Sequence, residues 1–251
     1  MSSSDPQLSL RIRRLRRTEF PADTVALARF LIGKIVVRKL PSGRLAGRIV
    51  ETEAYPIGDP AAHHYNGPTP RNRSMFLRRG HAYVYFSYGN HFMLNISAEV
   101  PGVGGGVLIR ALEPLEGISQ MQRNRDTQKL LDLTSGPGRL AAALQIDRNL
   151  DGVDVCAPGP LWLGVIAETR GAERTCSPRF LKRALSNCDS ALPSSSSTNG
   201  SATAASLPPA RCAAHLIRTS KRIGITRAAH RLLRFYERGN PFVSGPARLR
   251  S

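Results

Sequence analysis

The segment KIVVRKLPSGRLAGRIVETEAY, residues 34–55, constrains the architecture more than any other part of the chain. Two β-prone runs flank Pro41, Ser42 and Gly43. Proline presets φ and glycine tolerates values that other residues avoid, so the segment predicts an antiparallel hairpin. Just upstream, Asp23 or Thr24 can cap a helix that presents Val25, Leu27, Ala28, Leu31 and Ile32 at helical spacing and stops at Gly33. Along the second strand, a period of two sets Glu51, Glu53 and Tyr55 on one face and Val50, Thr52 and Ala54 on the other. Two carboxylates therefore share a surface.

Further strands follow. HAYVYFSYGNHFMLNIS contains β-prone runs at Ala82–Ser87 and His91–Ser97 around Gly89 and Asn90, a pair suited to a two-residue primed turn, with Tyr88 near the tip. GVLIRALEPL reads as a strand, Glu116–Leu131 as a polar helix, and Gly138–Leu144 as a short helix with Ser135 as its cap and Pro137 in its first turn. Another strand is expected over Leu161–Glu168. Residues 59–73, rich in Gly, Pro and polar groups, predict a loop able to cover the acidic strand face.

The ends and one internal tract differ in composition. Residues 1–19 crowd Arg11, Arg13, Arg14, Arg16 and Arg17 together, which predicts a flexible arginine-rich arm. Residues 20–251 read as one domain, interrupted over 186–209 by a Ser/Ala/Thr/Pro-rich tract too poor in apolar surface to offset chain entropy. Order is expected again by about Leu216, because RIGITRAAHRLLRFYERGNPFVSG mixes apolar periodicity with turn residues.

Charge narrows the choice of partner. Thirty-six Lys and Arg against eighteen Asp and Glu leave a formal net charge of +18, which favours polyanions through steering and counterion release and puts nucleic acid ahead of anionic membrane. No apolar run approaches the roughly 18 to 20 residues of a membrane span, and arginines stand where a signal peptide needs an apolar centre. A soluble, unexported monomer is the expectation. The cysteines at 156, 176, 188 and 212 form no C-x-x-C pair and, with His215 or His230, match no common zinc spacing, so reduced thiols and no metal are expected.

In so cationic a chain, Glu51 and Glu53 could each serve as a surface ion-pair partner or as a general base, and spacing alone does not choose between them. The blocks RIVETEAY, AAHHYNGPTPRNRSMF, YVYFSYGNHFMLNIS, LIRALEPLEG, SGPGRLAAAL and RFYERGNPFVS, in this order, resemble the alkyladenine (3-methyladenine) DNA glycosylase family. The likeness spans roughly residues 25–165 and 222–245. It implies a monofunctional glycosylase that acts on double-stranded DNA containing damaged purines, flips the purine out and hydrolyses its bond to deoxyribose, with no metal or organic cofactor. Such an enzyme would work in a bacterial cytoplasm beside the nucleoid, or in a nucleus.

Position by position, the resemblance makes Glu53 the base that activates water and Arg110 the cation beside it. Tyr55, His63 and Tyr85 match the aromatic walls of the base pocket, and Asn95 matches the asparagine that rejects normal guanine. Tyr88 matches the residue that fills the gap left in the duplex. Arg71, Arg73 and Met75 belong to the block expected to contact DNA, with Arg78 and Arg79 close by. No lysine occurs between Lys39 and Lys129, which favours hydrolysis over Schiff-base chemistry. Strand pattern and resemblance together predict an α+β fold: a single mixed domain with a curved antiparallel β-sheet, surrounding helices and a protruding β-hairpin. The competing reading is a noncatalytic damaged-DNA or general nucleic-acid binding protein, which would use the charge and the hairpin without needing Glu53.

Overall fold

The computed structural model describes residues 10–87, 89, 91–167 and 217–245. In chain order these form β1 (Ile12–Arg14), α1 (Thr24–Leu31), β2 (Ile35–Leu40), β3 (Gly43–Tyr55), β4 (Ala82–Ser87), β5 (His91–Ser97), β6 (Gly106–Glu116), α2 (Ile118–Arg125), α3 (Pro137–Ala143), β7 (Leu161–Ile166), β8 (Ile217–Ser220) and β9 (Arg234–Glu237). The strands make one antiparallel sheet in the order β1-β7-β2-β3-β6-β5-β4, with β9 joined to β3 and β8 to β9. The fold is α+β, as expected. Among the described residues no helix is long and apolar enough to cross a membrane.

β3 is the spine of this sheet. Along one edge it pairs with β6, and along the other first with β2 and then with β9. The expected hairpin closes at the Leu40–Gly43 pair, around Pro41 and Ser42. Helix α1 begins where the Asp23 carboxylate accepts from the Ala26 N–H at 2.7 Å and ends before Gly33, whose φ of 82° suits a residue without Cβ. Its buried face, Thr24, Leu27, Ala28 and Leu31, lies on the sheet, where the Thr52 hydroxyl donates to the Ala28 carbonyl at 2.9 Å. Leu27, Leu31, Ile49, Ile109, Leu112 and Phe235 share the main core. Each such side chain contributes about 1.5–3 kcal/mol through burial.

Several expectations need correction. Residues 12–14 are an edge strand on β7 rather than part of a flexible arm, and Leu15 is buried. Like-charge repulsion is offset there by pairing: Arg13 meets Glu19 at 2.8 and 2.9 Å, Arg17 meets Asp154 at 2.5 Å, and Arg14 lies over the Trp162 ring. Residues 1–9 and the tract 186–209 lie outside the described residues, as does Glu168, and β7 ends at Ile166. The helix expected over Glu116–Leu131 is α2 alone. It stops at Arg125 because Asp126 takes a left-handed φ of 48°, in a polar run that favours turns. Between β4 and β5, the Ser87–His91 pair leaves three connecting residues rather than a two-residue turn.

Replacing Asp23 with alanine removes the cap of α1 and is expected to cost about 1 kcal/mol. In a chain of this size that lowers the thermal midpoint by about 2–4 °C. An unchanged melting curve would show that packing on the sheet, not the cap, fixes the start of the helix.

Candidate active site

The register between β3 and β6 slips twice within three residues: Ile49 pairs with Leu112, Glu51 with Ala111, and Thr52 with Ile109. Val50 is thus the extra residue on β3 and Arg110 the extra residue on β6. A bulge breaks strict alternation and re-aims the side chain it carries. Val50 accordingly leaves the face expected for it and packs with Ala111, Tyr236, Phe242 and Val243, whereas Ala54 stays in the main core. Arg110 reaches both acids, its Nε donating to Glu51 Oε1 at 3.0 Å and its Nη1 lying 3.2 Å from Glu53 Oε1. Burial opposes the charge on Arg110, but Glu53 and then Glu51 outweigh that effect and raise its pKa.

Both glutamates are fully buried, yet their partners differ. Glu51 Oε1 accepts from Arg110, from Arg234 Nε at 2.6 Å and from the Ser244 hydroxyl at 2.9 Å, while its Oε2 accepts from the Ser244 N–H at 2.7 Å. Glu53 Oε1 accepts from the Ile223 N–H at 2.8 Å and faces Arg110, and its Oε2 accepts from the Tyr55 hydroxyl at 2.9 Å. Glu51 therefore ties β3 to β6, β9 and the C-terminal segment. Glu53 keeps acceptor capacity on Oε2, and its three partners all line a cavity.

That cavity encloses about 290 Å³, at the small end of ligand sites. Its walls include Tyr55, His63, Tyr83, Tyr85, Asn95 and Ile223. Glu53 sits directly behind this lining. The ring of Tyr85 lies 4.4 Å from that of His63, edge to face, and 5.3 Å from that of Tyr83, stacked. The Tyr83 hydroxyl meets His63 Nδ1 at 3.0 Å, and Asn95 Nδ2 donates to the Tyr83 carbonyl at 3.3 Å. Burial, followed by the Glu53 charge, pushes the Tyr55 phenol far up, so it stays a proton donor. Packing around the ring, followed by the Arg71 charge, pushes the His63 imidazole down, towards its neutral form.

The structure thus brings Glu53, Arg110, Tyr55, His63, Tyr85 and Asn95 to one place. Tyr88 lies outside the described residues. Arg71 and Arg73 are exposed, and Arg71 donates to the Phe86 carbonyl beside the β4–β5 hairpin. Met75, expected on a DNA-contacting surface, is instead buried in the cavity wall, because the 3-10 turn Arg73–Phe76 points it inward. Arg79 is committed to the carbonyls of Ala22 and Ala98, and His64 is buried against the Phe76 ring.

Sequence reasoning missed Tyr83, Arg234, Ser244 and the 223–225 wall. The alternation in YVY could have paired Tyr83 with Tyr85. The Ile223 contribution is a backbone N–H, for which no side chain gives a signal. Among the described residues no three His, Cys, Asp or Glu side chains converge as metal ligands, and none of the cavity-lining residues is a lysine.

Comparison with known proteins adds to this geometry. The family model described as methylpurine-DNA glycosylase (MPG) matches residues 18–180. A relative from Mesorhizobium japonicum is 52% identical over 235 residues, covering 94% of this chain and 92% of its own. One from Paraburkholderia phytofirmans is 43% identical over 235 residues, covering 94% and 90%, and one from Methanoculleus marisnigri is 39% identical over 225 residues, covering 90% and 95%. All three carry the name "Putative 3-methyladenine DNA glycosylase".

Glu51→Gln leaves Arg110 and Arg234 with an uncompensated buried charge, so it is expected to lower stability by about 3–5 kcal/mol. Urea unfolding reads this directly. A midpoint equal to that of the unaltered protein would mean that Glu51 is not the anchor its four contacts describe.

Proposed function

The chain belongs to the methylpurine-DNA glycosylase family, and on that premise we propose that it draws an alkylated or deaminated purine out of duplex DNA into the cavity and hydrolyses the base–sugar bond with Glu53 as general base. The observation that carries this reading is the placement of the Glu53 carboxylate. It is fully buried, and its oxygens are held by Tyr55, Arg110 and Ile223, all of which line the aromatic cavity.

A purine needs flat walls, and Tyr55, His63 and Tyr85 supply them. N3- and N7-alkylated purines carry positive charge, which an aromatic face attracts. Asn95 stands at the same wall, where an exocyclic amino group without a partner would be costly once desolvated. Three donors on Glu53 offset the cost of burying its charge. Its Oε2 has a lone pair left to accept a proton from water as the water oxygen bonds to the anomeric carbon. The base departs with the electron pair of the broken bond, and a cationic alkylpurine leaves neutral without needing an acid. The product is an abasic site.

Extrusion costs a few kcal/mol, least for damaged bases, and Tyr88 from the hairpin connection would fill the gap in the stack. Arg71 and Arg73, exposed beside that hairpin, would contact phosphates. The +18 charge steers a single copy of the protein onto DNA.

A duplex carrying one ethenoadenine or hypoxanthine tests this. Incubation followed by alkali should cut the strand at the lesion, and Glu53→Gln should slow excision by about 10²–10⁴-fold while lesion binding persists. Strands left intact under saturating protein would identify a noncatalytic binder instead.

A further inference from the structure

Asp59 and Arg222 form an ion pair whose side chains are both fully enclosed. Arg222 Nη1 and Nη2 donate to the two Asp59 oxygens, the second at 3.1 Å, and Nη1 also donates to the Ala54 carbonyl at 3.0 Å. The guanidinium lies 4.6 Å from the Tyr55 ring centroid. Asp59 in turn accepts from the Ala61 N–H at 3.0 Å, at the start of the loop that carries His63. Burying such a pair is expensive compared with packing apolar groups of the same size, and the Arg222 Nε has no hydrogen-bond partner in its buried position. Stability alone is therefore a poor reason for it.

What the pair fixes is geometry. A bidentate guanidinium–carboxylate fork sets both distance and orientation. On one side it holds the loop after β3, which supplies Ala61 and His63 to the cavity. On the other it holds residue 222, whose neighbour Ile223 gives its N–H to Glu53 Oε1 and lines the cavity with Gly224 and Ile225. Gly224 has a φ of 74°, which turns the chain there. Across the middle lies Tyr55, pressed by the Arg222 guanidinium on its ring and donating from its hydroxyl to Glu53 Oε2.

The geometry points to Asp59 and Arg222 as positioning residues for Glu53: through the Ile223 N–H and the Tyr55 ring, their fork aims the carboxylate at the reacting sugar. Neither residue lines the cavity. The inference rests on Glu53 being the base. It goes further in assigning the aim of that base to an ion pair that spans two segments 163 residues apart in sequence.

The test compares Glu53→Gln, the pair Asp59→Asn/Arg222→Gln, and all three substitutions together on a duplex carrying one ethenoadenine. The paired substitution keeps the size of Asp59, shortens Arg222 and leaves no unpaired charge in the interior, since Arg231, 3.8 Å from Asp59, is partly exposed, and thermal unfolding establishes that the protein folds. Its single-turnover excision should fall about 100-fold, the scale of a roughly 1 Å misplacement, with lesion affinity little changed. Arg222→Lys, which keeps the charge but loses the fork, should fall in between. On the Glu53→Gln background the pair should subtract little from the residual rate read over long incubations, because no base remains to be aimed. Unchanged excision by the folded paired variant overturns the proposal. So does an equal loss with and without the Glu53 carboxylate, or a failure of both the pair and Arg222→Lys to fold. Full excision by Glu53→Gln alone would instead overturn the assignment of the base, so the two failures are distinguishable.

Discussion

Arg110 sits between two carboxylates in the interior of a sheet, and the surrounding architecture has to satisfy all three charges without bulk water. An unpaired charge in such a place costs several kcal/mol, and pairing recovers that only when the remaining lone pairs and protons also find partners. The offset bulges at Val50 and Arg110 turn the guanidinium onto both acids. β9 brings Arg234, and the segment beyond it brings Ser244 to finish the set around Glu51. Much of the C-terminal part of the fold is placed by that need.

The two glutamates then divide the work. Glu51 is saturated by four contacts and joins strands. Glu53, two residues on, meets Arg110, one backbone N–H and one phenol, all of which face the cavity. One cation thus connects a structural anchor with a candidate base. On the proposed reading, substitutions at 51 and 53 separate accordingly, the first expected to act on folding and the second on chemistry.

Much of this was legible in the sequence. The hairpin at 34–55, helix α1 with a cap at Asp23 or Thr24, of which the structure takes Asp23, and strands β4 to β6 follow from turn residues, capping and period. The shared face of Glu53 and Tyr55 also followed from period, and the structure places Tyr55 on Glu53. Alternation failed at Val50, because a bulge adds a residue without changing composition. The arginine-rich start was misread because its anionic partners, Glu19 and Asp154, are separated from it in sequence or masked by the charge count. Met75 was placed outside because a short 3-10 turn, which has no strong sequence period, decides which way it points. The Ile223 wall was invisible for another reason: its contribution is a backbone N–H positioned by an ion pair from a distant loop.

On the proposed reading, the Glu53 carboxylate delivers water to the sugar of an extruded purine nucleotide. A crystal structure of the protein on a duplex bearing a cationic abasic-sugar analogue would reveal that water. A water should be held by Glu53 Oε2 within hydrogen-bond distance and aimed at the position of the anomeric carbon, with the analogue extruded towards Tyr55, His63 and Tyr85. A sugar bound away from this cavity, or a water aimed at it by some other side chain while Glu53 keeps only its internal contacts, would contradict that reading.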